Sequence, residues 1–455
     1  MSTIRKRGNS YQIRVSCGYN VSGEQITKTT TWKPAPNMTK RQIEKELERQ
    51  AVLFEEKCRS GLFLDGNITF TDFAEKWFKE YAEKQLRIQT VTCYKRLITR
   101  ILSAIGHIKV CQLQPHHLLE FYNNLGEMGI RKDIKYKPCT DFKQRTKAAG
   151  YSHTALAGAA NVSISSIRIC LNGGNVTKAT ADKITAATGL KNLFTQADGK
   201  KRLSDSTIAE YHRLISSILT TAVQWQVIPS NPCDRVKPPK VERKEAASLD
   251  AEQAAELIRC LQDEPLKYKA AVMLTLYTGL RRGELCGLEW EDINLDEGIV
   301  CINKSVLYTA AKGIYEDGTK TKSSNRAINI PDDMIKLLRR YKAEQTERRL
   351  SMGDAWQNSG KVFTAENGGY IHPDTLTAWF KSFIRRHSLP DIHFHSLRHT
   401  AATLLIAEGV DVATVSKRLG HADKTTTLNI YTHAVKSADK AAADKLQSLF
   451  RNSAI

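Results

Sequence analysis

Between positions 393 and 433 lie His395, Arg398, His421 and Tyr431, residue types that can act together on a phosphodiester. The apolar residues from 397 to 405 recur at helical spacing, which predicts a helix over 394–408. His395 and Arg398 are three positions apart, so both side chains would leave the same face of that helix. Such a face can hold a phosphate group.

The candidate residues continue beyond this helix. A shorter helical pattern ends at Gly420, a residue type common at helix C-termini, so His421 is expected to begin a new segment. Tyr431 follows ten residues later. Its neighbours Leu428 and Ile430 are apolar, which favours a ring anchored by packing and a hydroxyl that faces the site.

Two simpler interpretations compete with this chemistry. His393, His395 and His399 have the spacing of zinc ligands on a helix, but the glutamate of the HExxH pattern is absent. A metal site is therefore not expected. Tyr431 by itself would be an ordinary half-buried core tyrosine, and its neighbouring histidines and arginine favour the functional interpretation.

A further arginine lies in TGLRRGEL at 278–285. A helix is expected to break at Gly279, and a second helix would project Arg281 and Glu284 from one face. Arg281 would then bind a phosphate while Glu284 fixes its surroundings; an ordinary surface ion pair is the alternative. Downstream, 298–331 alternates as two strands joined by a loop through Gly313 and Gly318, which predicts a hairpin.

These pieces resemble the tyrosine recombinase, or phage integrase, family: TGLRRGEL, then HSLRH at 395–399, LGH at 419–421 and the tyrosine of NIYTH at 429–433. Four pieces in the right order are a specific signal, although each alone is weak. The resemblance implies an α+β catalytic domain over 246–455, with Glu284 in a supporting role. The catalytic residues that it implies are Arg281, Lys320, His395, Arg398, His421 and Tyr431.

The family places its catalytic lysine on a mobile hairpin turn, which corresponds here to TKTKSSNR. Lys320 fits the motif's spacing, and a hairpin of slightly different length would make the residue Lys322. Solvated turn lysines are the alternative. In the implied reaction Tyr431 attacks DNA and forms a 3′-phosphotyrosine, while Arg281 and Arg398 donate to the non-bridging oxygens. These guanidinium groups supply the positive charge that magnesium supplies elsewhere, so no cofactor is expected.

The implied function is a site-specific DNA recombinase that integrates and excises a mobile element or viral genome. Two alternatives share parts of the pattern. A type IB topoisomerase-like enzyme would keep the tyrosine and arginines without needing the N-terminal modules, and a DNA-binding regulator would use the fold without catalysis.

Composition agrees with a nucleic-acid partner. The 455 residues allow about three domains, and a net charge of +20 is spread along the chain, which suits phosphate contacts by several modules. Ribosome or anionic-membrane binding are the alternatives. Ten cysteines without a CxxC pair indicate reduced thiols. No long apolar run or secretory signal is present, so a cytoplasmic protein at the bacterial nucleoid, without membrane contact, is expected.

Residues 1–62 form a candidate module of their own. SYQIRVS and QITKTTTW alternate as strands, and Thr39 with Gln42 fits a capping box before a helix that runs to position 57. This unit resembles the three-stranded arm-type DNA-binding domain of conjugative-transposon integrases. Its candidate DNA contacts are Arg5, Arg7, Arg14 and Lys28; a solvated basic face is the alternative.

Residues 66–131 and 203–240 are helical in pattern and resemble the core-binding domain of the same family. Lys95 and Arg96 are candidate phosphate contacts there. The stretch 231–244 contains three prolines and five basic residues, so it is expected to be a linker over the DNA rather than a packed element.

Residues 134–200 interrupt the core-binding pattern and resemble a phage-repressor-like helix-turn-helix domain. Ala157 would lie where two helices touch, and Asn161 would take the left-handed turn position. A recognition helix is expected over 163–171. Its candidate DNA-binding residues are His153, Ser165 and Arg168. Protein contact is nearly as well supported, and a tolerated insertion without function is a third alternative.

The expected fold is multidomain and mainly α, with small β elements. An amphipathic pattern over 437–451 predicts a C-terminal helix. In this family such a helix packs on a neighbouring subunit; packing on its own domain is the alternative. The implied partners are double-stranded DNA at core and arm-type sites and three further copies in a homotetramer. An excision factor is a candidate partner.

Overall fold

A computed structural model describes residues 2–19, 23–59, 68–128, 130, 135–197, 202–242, 247–318, 325–421 and 427. The chain divides into two compact units, Met1–Glu242 and Arg243–Ile455. Helices predominate and the sheets are small, as the sequence predicts. Within the ranges given above, no helix is long and apolar enough to cross a membrane.

The first unit begins with an antiparallel sheet. Its strands are β1 (Ser2–Arg7), β2 (Ser10–Tyr19) and β3 (Gln25–Trp32), in the order β1-β2-β3, and helix α1 (Lys40–Arg59) follows. Inward residues of β2, including Ile13, pack on α1 because alternate residues of a strand share one face. The expected capping box is present: the Thr39 amide donates to Gln42 Oε1 over 2.8 Å.

A helical bundle follows. Its members are α2 (Phe70–Trp77), α3 (Glu83–Gln85), α4 (Ile88–Ile105), α5 (Pro115–Leu125) and, after the interruption described next, Asp205–Gln224. A single π-helical turn, Phe78–Ala82, joins α2 to α3. Trp77 is fully buried and its indole donates to Thr221 Oγ1 over 2.9 Å. This bond joins two residues 144 positions apart, so the bundle closes across the interruption.

The interrupting segment has a hydrophobic cluster of its own. Its elements are β4 (Lys135–Pro138), α6 (Phe142–Ala148), α7 (His153–Ala159), α8 (Ile164–Leu171), β5 (Val176–Thr177), α9 (Lys178–Thr188) and β6 (Phe194–Gln196). The sequence patterns predicted α7 and α8 but missed the strands, which are two to four residues long. The sheet order is β5-β4-β6, so the strands at the two ends of the segment pair with each other.

The helix that completes the bundle is α10 (Asp205–Gln224). The expectation of an unpacked linker from position 231 is wrong at its start. Asn231 donates to Thr220 Oγ1 over 3.0 Å and to the Ser216 carbonyl, and Cys233 and Val236 are buried against the bundle. Pro232 begins a 3₁₀ turn, Pro232–Arg235, that packs on α10.

The second unit is an α+β fold. Its helices are α11 (Ala251–Cys260), α12 (Leu266–Thr278), α13 (Arg282–Gly287), α14 (Asp332–Met352), α15 (Pro373–Arg386), α16 (Ser396–Ala407) and α17 (Val412–Leu419). Its strands are β7 (Ile293–Asn294), β8 (Ile299–Ile302), β9 (Lys304–Thr309), β10 (Gly313–Gly318) and β11 (Arg326–Asn329). Apolar residues of α12, α14 and α15 form the core with these strands.

The prediction of a hairpin over 298–331 is partly wrong. β8 and β11 pair as predicted, with Ile302 opposite Arg326. The predicted loop through Gly313 and Gly318 is instead strand β10, which pairs with β9. Lys320 and Lys322 lie between β10 and β11 but outside the residues that the structure describes. The same holds for Tyr431 and for the C-terminal segment 437–451.

Candidate active site

Four of the candidate residues, Arg281, His395, Arg398 and His421, lie where α12 and α17 end and α13 and α16 begin. Gly279 ends α12 with φ of 66°, and Gly420 ends α17 with φ of 67°, both in the left-handed region that favours glycine. A Cβ on Gly279 would lie 2.4 Å from the Leu419 side chain, so the two helix ends are in close contact. The glycines predicted to break both helices do so.

Arg398 lies between these two helix ends. Its side chain is almost fully buried, and its two Nη atoms donate to the carbonyl oxygens of Gly279 and Leu419, each over 2.7 Å. A guanidinium is planar, so two bonds at once fix its orientation. The sequence did not predict this burial.

Arg281 reaches the same place from the start of α13. It is the N-cap residue of that helix, and Glu284 is the third residue in. Glu284 accepts from Arg281 Nη1 over 2.8 Å and from the Arg281 amide over 3.0 Å. Arg281 Nη2 lies 3.4 Å from the Gly420 carbonyl. The expected pairing of Arg281 with Glu284 is present, as a buried cap rather than a surface ion pair, because Glu284 is 4% exposed.

Glu284 also holds an arginine that the sequence patterns did not single out. Arg326, at the start of β11, donates from Nη2 to Glu284 Oε2 over 2.9 Å and from Nε to the Arg418 carbonyl over 2.8 Å. Burial alone would raise the pKa of Glu284, but the hydrogen bond from Arg326 and the two positive charges outweigh it, and the pKa is lowered. The carboxylate therefore stays ionised.

The end of α17 thus accepts three arginine bonds on three successive carbonyls. Arg326 donates to the carbonyl of residue 418, Arg398 to that of 419 and Arg281 to that of 420. Carbonyls at a helix C-terminus carry partial negative charge and lack helical partners, so they attract cations. We call these three arginines and the carbonyls of 418–420 the arginine clamp.

The candidate histidines lie beside the clamp. His421 follows it directly, and its Nδ1 is 2.8 Å from Thr427 Oγ1. His395 is the N-cap of α16, and its ring meets that of His399 edge-on at 4.9 Å. Burial, together with the charges of Arg398 and Arg281, lowers the pKa of His395, and the same causes lower that of His421 to about 4. Both imidazoles are therefore neutral at pH 7.

These shifts predict that acid weakens the fold. The pKa values of His399 and His421, both about 4, lie below the ordinary 6.5. Between these two pH values the two histidines are protonated in the unfolded chain but neutral in the folded one. The free energy of unfolding should fall between pH 6.5 and 4, by roughly 1–2 kcal/mol per histidine after allowance for partial exposure. Pulse proteolysis in urea across this window measures it.

Replacing His421 by glutamine should flatten this pH dependence, because the group that protonates on unfolding is removed. His153→Gln, at an exposed position of the first unit, is the matched control. If the free energy of unfolding has the same pH dependence in His421→Gln and in the unmodified chain, His421 is not held neutral by burial.

The predicted DNA contacts of the N-terminal sheet do not share one face. Ile13 and Val15 of β2 pack on α1, and the residues opposite them in β1 share that face. Arg5, Arg7 and Arg14 alternate with these residues, so they lie on the face away from α1. Lys28 is opposite Val15, which is buried against α1, so it lies on the helix side. The four candidate DNA contacts therefore lie on both faces of the sheet.

The other predicted contacts are on exposed surfaces. Arg96 is exposed on α4, and the Lys95 ammonium lies 2.6 Å from a Glu83 oxygen. In the interrupting segment, Asn161 has φ of 48° as expected, and Ala157 is buried. The outward residues of α8 are exposed as predicted, including Ser165 and Arg168, with His153 exposed at the start of α7.

Comparisons with known proteins agree with this geometry. The chain matches the phage integrase family over 247–438 and the N-terminal SAM-like domain of phage integrases over 69–126. A tyrosine recombinase XerC-like protein of Caldanaerobacter subterraneus is 33% identical over 54% of this chain and 67% of its own length. The ICEBs1 integrase of Bacillus subtilis is 30% identical with the same coverage.

A solved structure shares the fold. The Tn1549 transposon integrase, determined in complex with transposon right end DNA, aligns over 83% of this chain and 99% of its own, with a TM-score of 0.57 and 19% identity. The two family matches cover most of the helical bundle before the interruption and the whole candidate site. The chain belongs to the phage integrase family of tyrosine recombinases.

Proposed function

We propose that this protein is a site-specific DNA recombinase that integrates and excises a mobile element by way of a 3′-phosphotyrosine. The observation that carries the proposal is the arginine clamp with its adjoining histidines. It gathers Arg281, Arg398 and His421 from three separate sequence motifs at one helix end, in the order typical of the family. The sequence relatives named above add support, since both are named as recombinase or integrase.

The chemistry follows from the residue types. Attack on a phosphodiester increases the negative charge on the non-bridging oxygens, and guanidinium groups held rigidly before the reaction can stabilise that charge. Arg281 and Arg398 serve this purpose in the proposal. Tyr431 is the nucleophile: its oxygen bonds to phosphorus, the bond to the 5′ oxygen breaks, and Lys320 protonates that leaving oxygen.

The two histidines have distinct roles in this scheme. His395 accepts or relays the proton of Tyr431, which a neutral imidazole can do and an imidazolium cannot. His421 donates a hydrogen bond to a phosphate oxygen. If the Thr427 hydroxyl donates to His421 Nδ1 across their 2.8 Å contact, the proton of the neutral ring is on Nε2, which is then the donor.

The resulting phosphotyrosine conserves the energy of the broken bond, so a 5′ hydroxyl can reseal the strand without ATP. When that hydroxyl belongs to another duplex, the product is recombinant. We propose a homotetramer on two DNA sites, joined through the C-terminal segment 437–451, with an excision factor as a further partner and the nucleoid as the place of action.

A selection experiment tests the function and finds the site together. The protein is incubated with nicked duplexes of random sequence, in which cleavage releases a short fragment and traps the covalent adduct. Sequencing the trapped DNA gives the attacked phosphate. No adduct on any duplex would support a DNA-binding regulator. An adduct that reseals only its own strand, without exchange between two duplexes, would support a topoisomerase.

The two candidate lysines can be separated with a modified substrate. Lys320→Ala should slow cleavage of ordinary DNA and recover on a duplex whose 5′ bridging oxygen is sulfur, because a thiolate leaves without being protonated. Lys322→Ala is the matched control, expected to cleave both substrates at the normal rate. Rescue confined to Lys322→Ala would transfer the role to that residue.

The DNA surface that we propose for the first unit includes the N-terminal sheet and the helical bundle. The exposed face with Arg5, Arg7 and Arg14 would contact arm-type sites, and the helical bundle, through Arg96 and Lys95, would contact core sites. Lys28 is left out because it lies on the other face of the sheet.

We propose that the inserted segment binds DNA through α8. Residues 135–197 contain nine lysines and arginines against two aspartates, a surplus that favours phosphate contact over an ordinary protein surface. Ser165 and Arg168 are exposed on α8, where a recognition helix would meet base edges.

Removing the insert should leave the enzyme intact. β4 and β6 pair with Tyr136 opposite Gln196, so the two ends of the segment are already close and a short Gly/Ser loop can replace 132–200. The shortened protein should still form the Tyr431 adduct on a core site, lose a footprint outside it and show a shallower salt dependence of binding. An unchanged footprint and slope, with altered assembly, would mean that the insert binds protein.

A further inference from the structure

Arg326 is the member of the arginine clamp that no sequence motif identified. Its side chain is 5% exposed, and its Nε and Nη2 donate to two different groups: the Arg418 carbonyl and the Glu284 carboxylate. One guanidinium edge therefore joins the start of α13 to the end of α17. The two acceptor residues are 134 positions apart in sequence, and Arg281 and His421 flank the two helices.

Arg326 also packs on the residue that precedes His421. A Cβ built on Gly420 would lie 3.0 Å from Arg326 Nη1 and 3.3 Å from its Cδ, tighter than most real contacts. Gly420 is thus required for its left-handed backbone and for the approach of Arg326. The His421 amide donates to the Ser416 carbonyl over 3.1 Å, so His421 is held at the same helix end that Arg326 contacts.

The bonding of Arg326 to the carboxylate that also holds Arg281 indicates a positioning role. The side chains of Arg281 and Arg326 share one carboxylate, but that of Arg281 is 39% exposed, whereas Arg326 is enclosed. Two of the fixed donors of Arg326 are directed at protein acceptors whose positions determine where Arg281 and His421 lie. A displacement of about 1 Å in such groups can slow a reaction by roughly 100-fold.

We propose that Arg326 is a positioning residue for strand cleavage, which sets Arg281 through Glu284 and His421 through the end of α17. This inference rests on the proposed recombinase function. It predicts that the fork of the guanidinium is needed, and not its charge alone. The ammonium of a lysine would lie about where the Arg326 Cζ lies, one bond short of the Nη2 position that donates to Glu284. It therefore cannot bond both Glu284 and the Arg418 carbonyl with good geometry.

The test compares Arg326→Lys and Arg326→Gln in the full-length protein. Single-turnover adduct formation is measured on a saturating nicked duplex taken from the selection above, and affinity is measured on the uncleaved duplex. We expect cleavage to slow by roughly tenfold for lysine and roughly 100-fold for glutamine, with affinity within about threefold. Arg339→Gln is the matched control, since Arg339 also joins a carboxylate, Asp296, to a carbonyl, but on the exposed side of α14.

In Arg326→Gln the buried carboxylate of Glu284 loses one of its two positively charged partners, which can destabilise the fold. The double variant Glu284→Gln with Arg326→Gln removes that buried charge and closes a mutant cycle. If Arg326 acts through Glu284, the double variant should lose clearly less cleavage rate than the product of the losses in the two single variants. Multiplicative losses would contradict the coupling.

Two further outcomes would overturn the inference. Arg326→Lys that cleaves at the unmodified rate would mean that charge alone suffices. A loss of affinity equal to the loss of cleavage would mean that Arg326 contributes to binding or folding in general. An unmodified chain that forms no adduct would overturn the recombinase function itself, whereas an active unmodified chain with unaffected Arg326 variants would overturn only the positioning role.

Discussion

Tyr431→Phe is expected to abolish strand cleavage while DNA binding stays within about twofold of the unmodified protein. The change removes one oxygen atom, and no other group in the proposed scheme can form the covalent bond to phosphorus. The aromatic ring is retained, so the rest of the side chain is unchanged. The measurement is the SDS-resistant protein–DNA adduct on a nicked duplex, set against a mobility shift on the same duplex.

Tyr308→Phe is the matched control, because Tyr308 is an exposed tyrosine of β9 whose ring rests against His372. It should form the adduct at the normal rate. An adduct that persists in Tyr431→Phe would show that another residue is the nucleophile.

Arg398→Lys should be nearly as severe, slowing adduct formation by roughly 1,000-fold. The buried guanidinium of Arg398 bonds two carbonyls at once, those of Gly279 and Leu419, and the ends of α12 and α17 are aligned through it. A lysine has one donor centre and leaves at least one of these carbonyls unsatisfied, at a cost of about 1–3 kcal/mol in stability.

The two effects on Arg398→Lys can be measured separately. Stability is followed by pulse proteolysis, and cleavage is followed under conditions where the variant is folded. Arg385→Lys, at an exposed position near the end of α15, is the control for both. A variant that is destabilised as expected but cleaves normally would mean that Arg398 serves the fold and not the phosphate.

The sequence predicted those features of the site that local patterns encode. Gly279 and Gly420 were expected to break their helices, and both have left-handed backbones. Arg281 and Glu284 were expected as a pair because they are three residues apart. The family motif, rather than periodicity, brought these pieces together with Arg398 and His421.

The sequence could not reveal Arg326 because its partners are distant in the chain. Glu284 is 42 positions away and the carbonyl of residue 418 is 92 positions away. In SSNRAINIP the arginine resembles any strand-edge residue, and such residues are mostly exposed. Burial of a charge becomes tolerable only when the fold supplies a carboxylate and a carbonyl together.

The errors in the fold have similar causes. Gly313 and Gly318 bound β10 at both ends, and glycines at that spacing resemble turn residues unless the partner strand β9 is known. Three prolines made 231–244 resemble a linker, although proline is equally suited to the 3₁₀ turn that packs on α10. The strands of the insert were too short for alternation to be visible.

The pairing of β4 with β6 has a consequence for how such proteins diversify. Because the Ala197 amide donates to the Lys135 carbonyl over 2.9 Å, the chain leaves the insert beside the point where it entered. A whole domain can therefore be gained, exchanged or lost at this loop in a single genetic event, while the host bundle keeps its own Trp77–Thr221 bond. If the insert binds DNA as proposed, target choice can evolve at this loop without any change in the catalytic machinery.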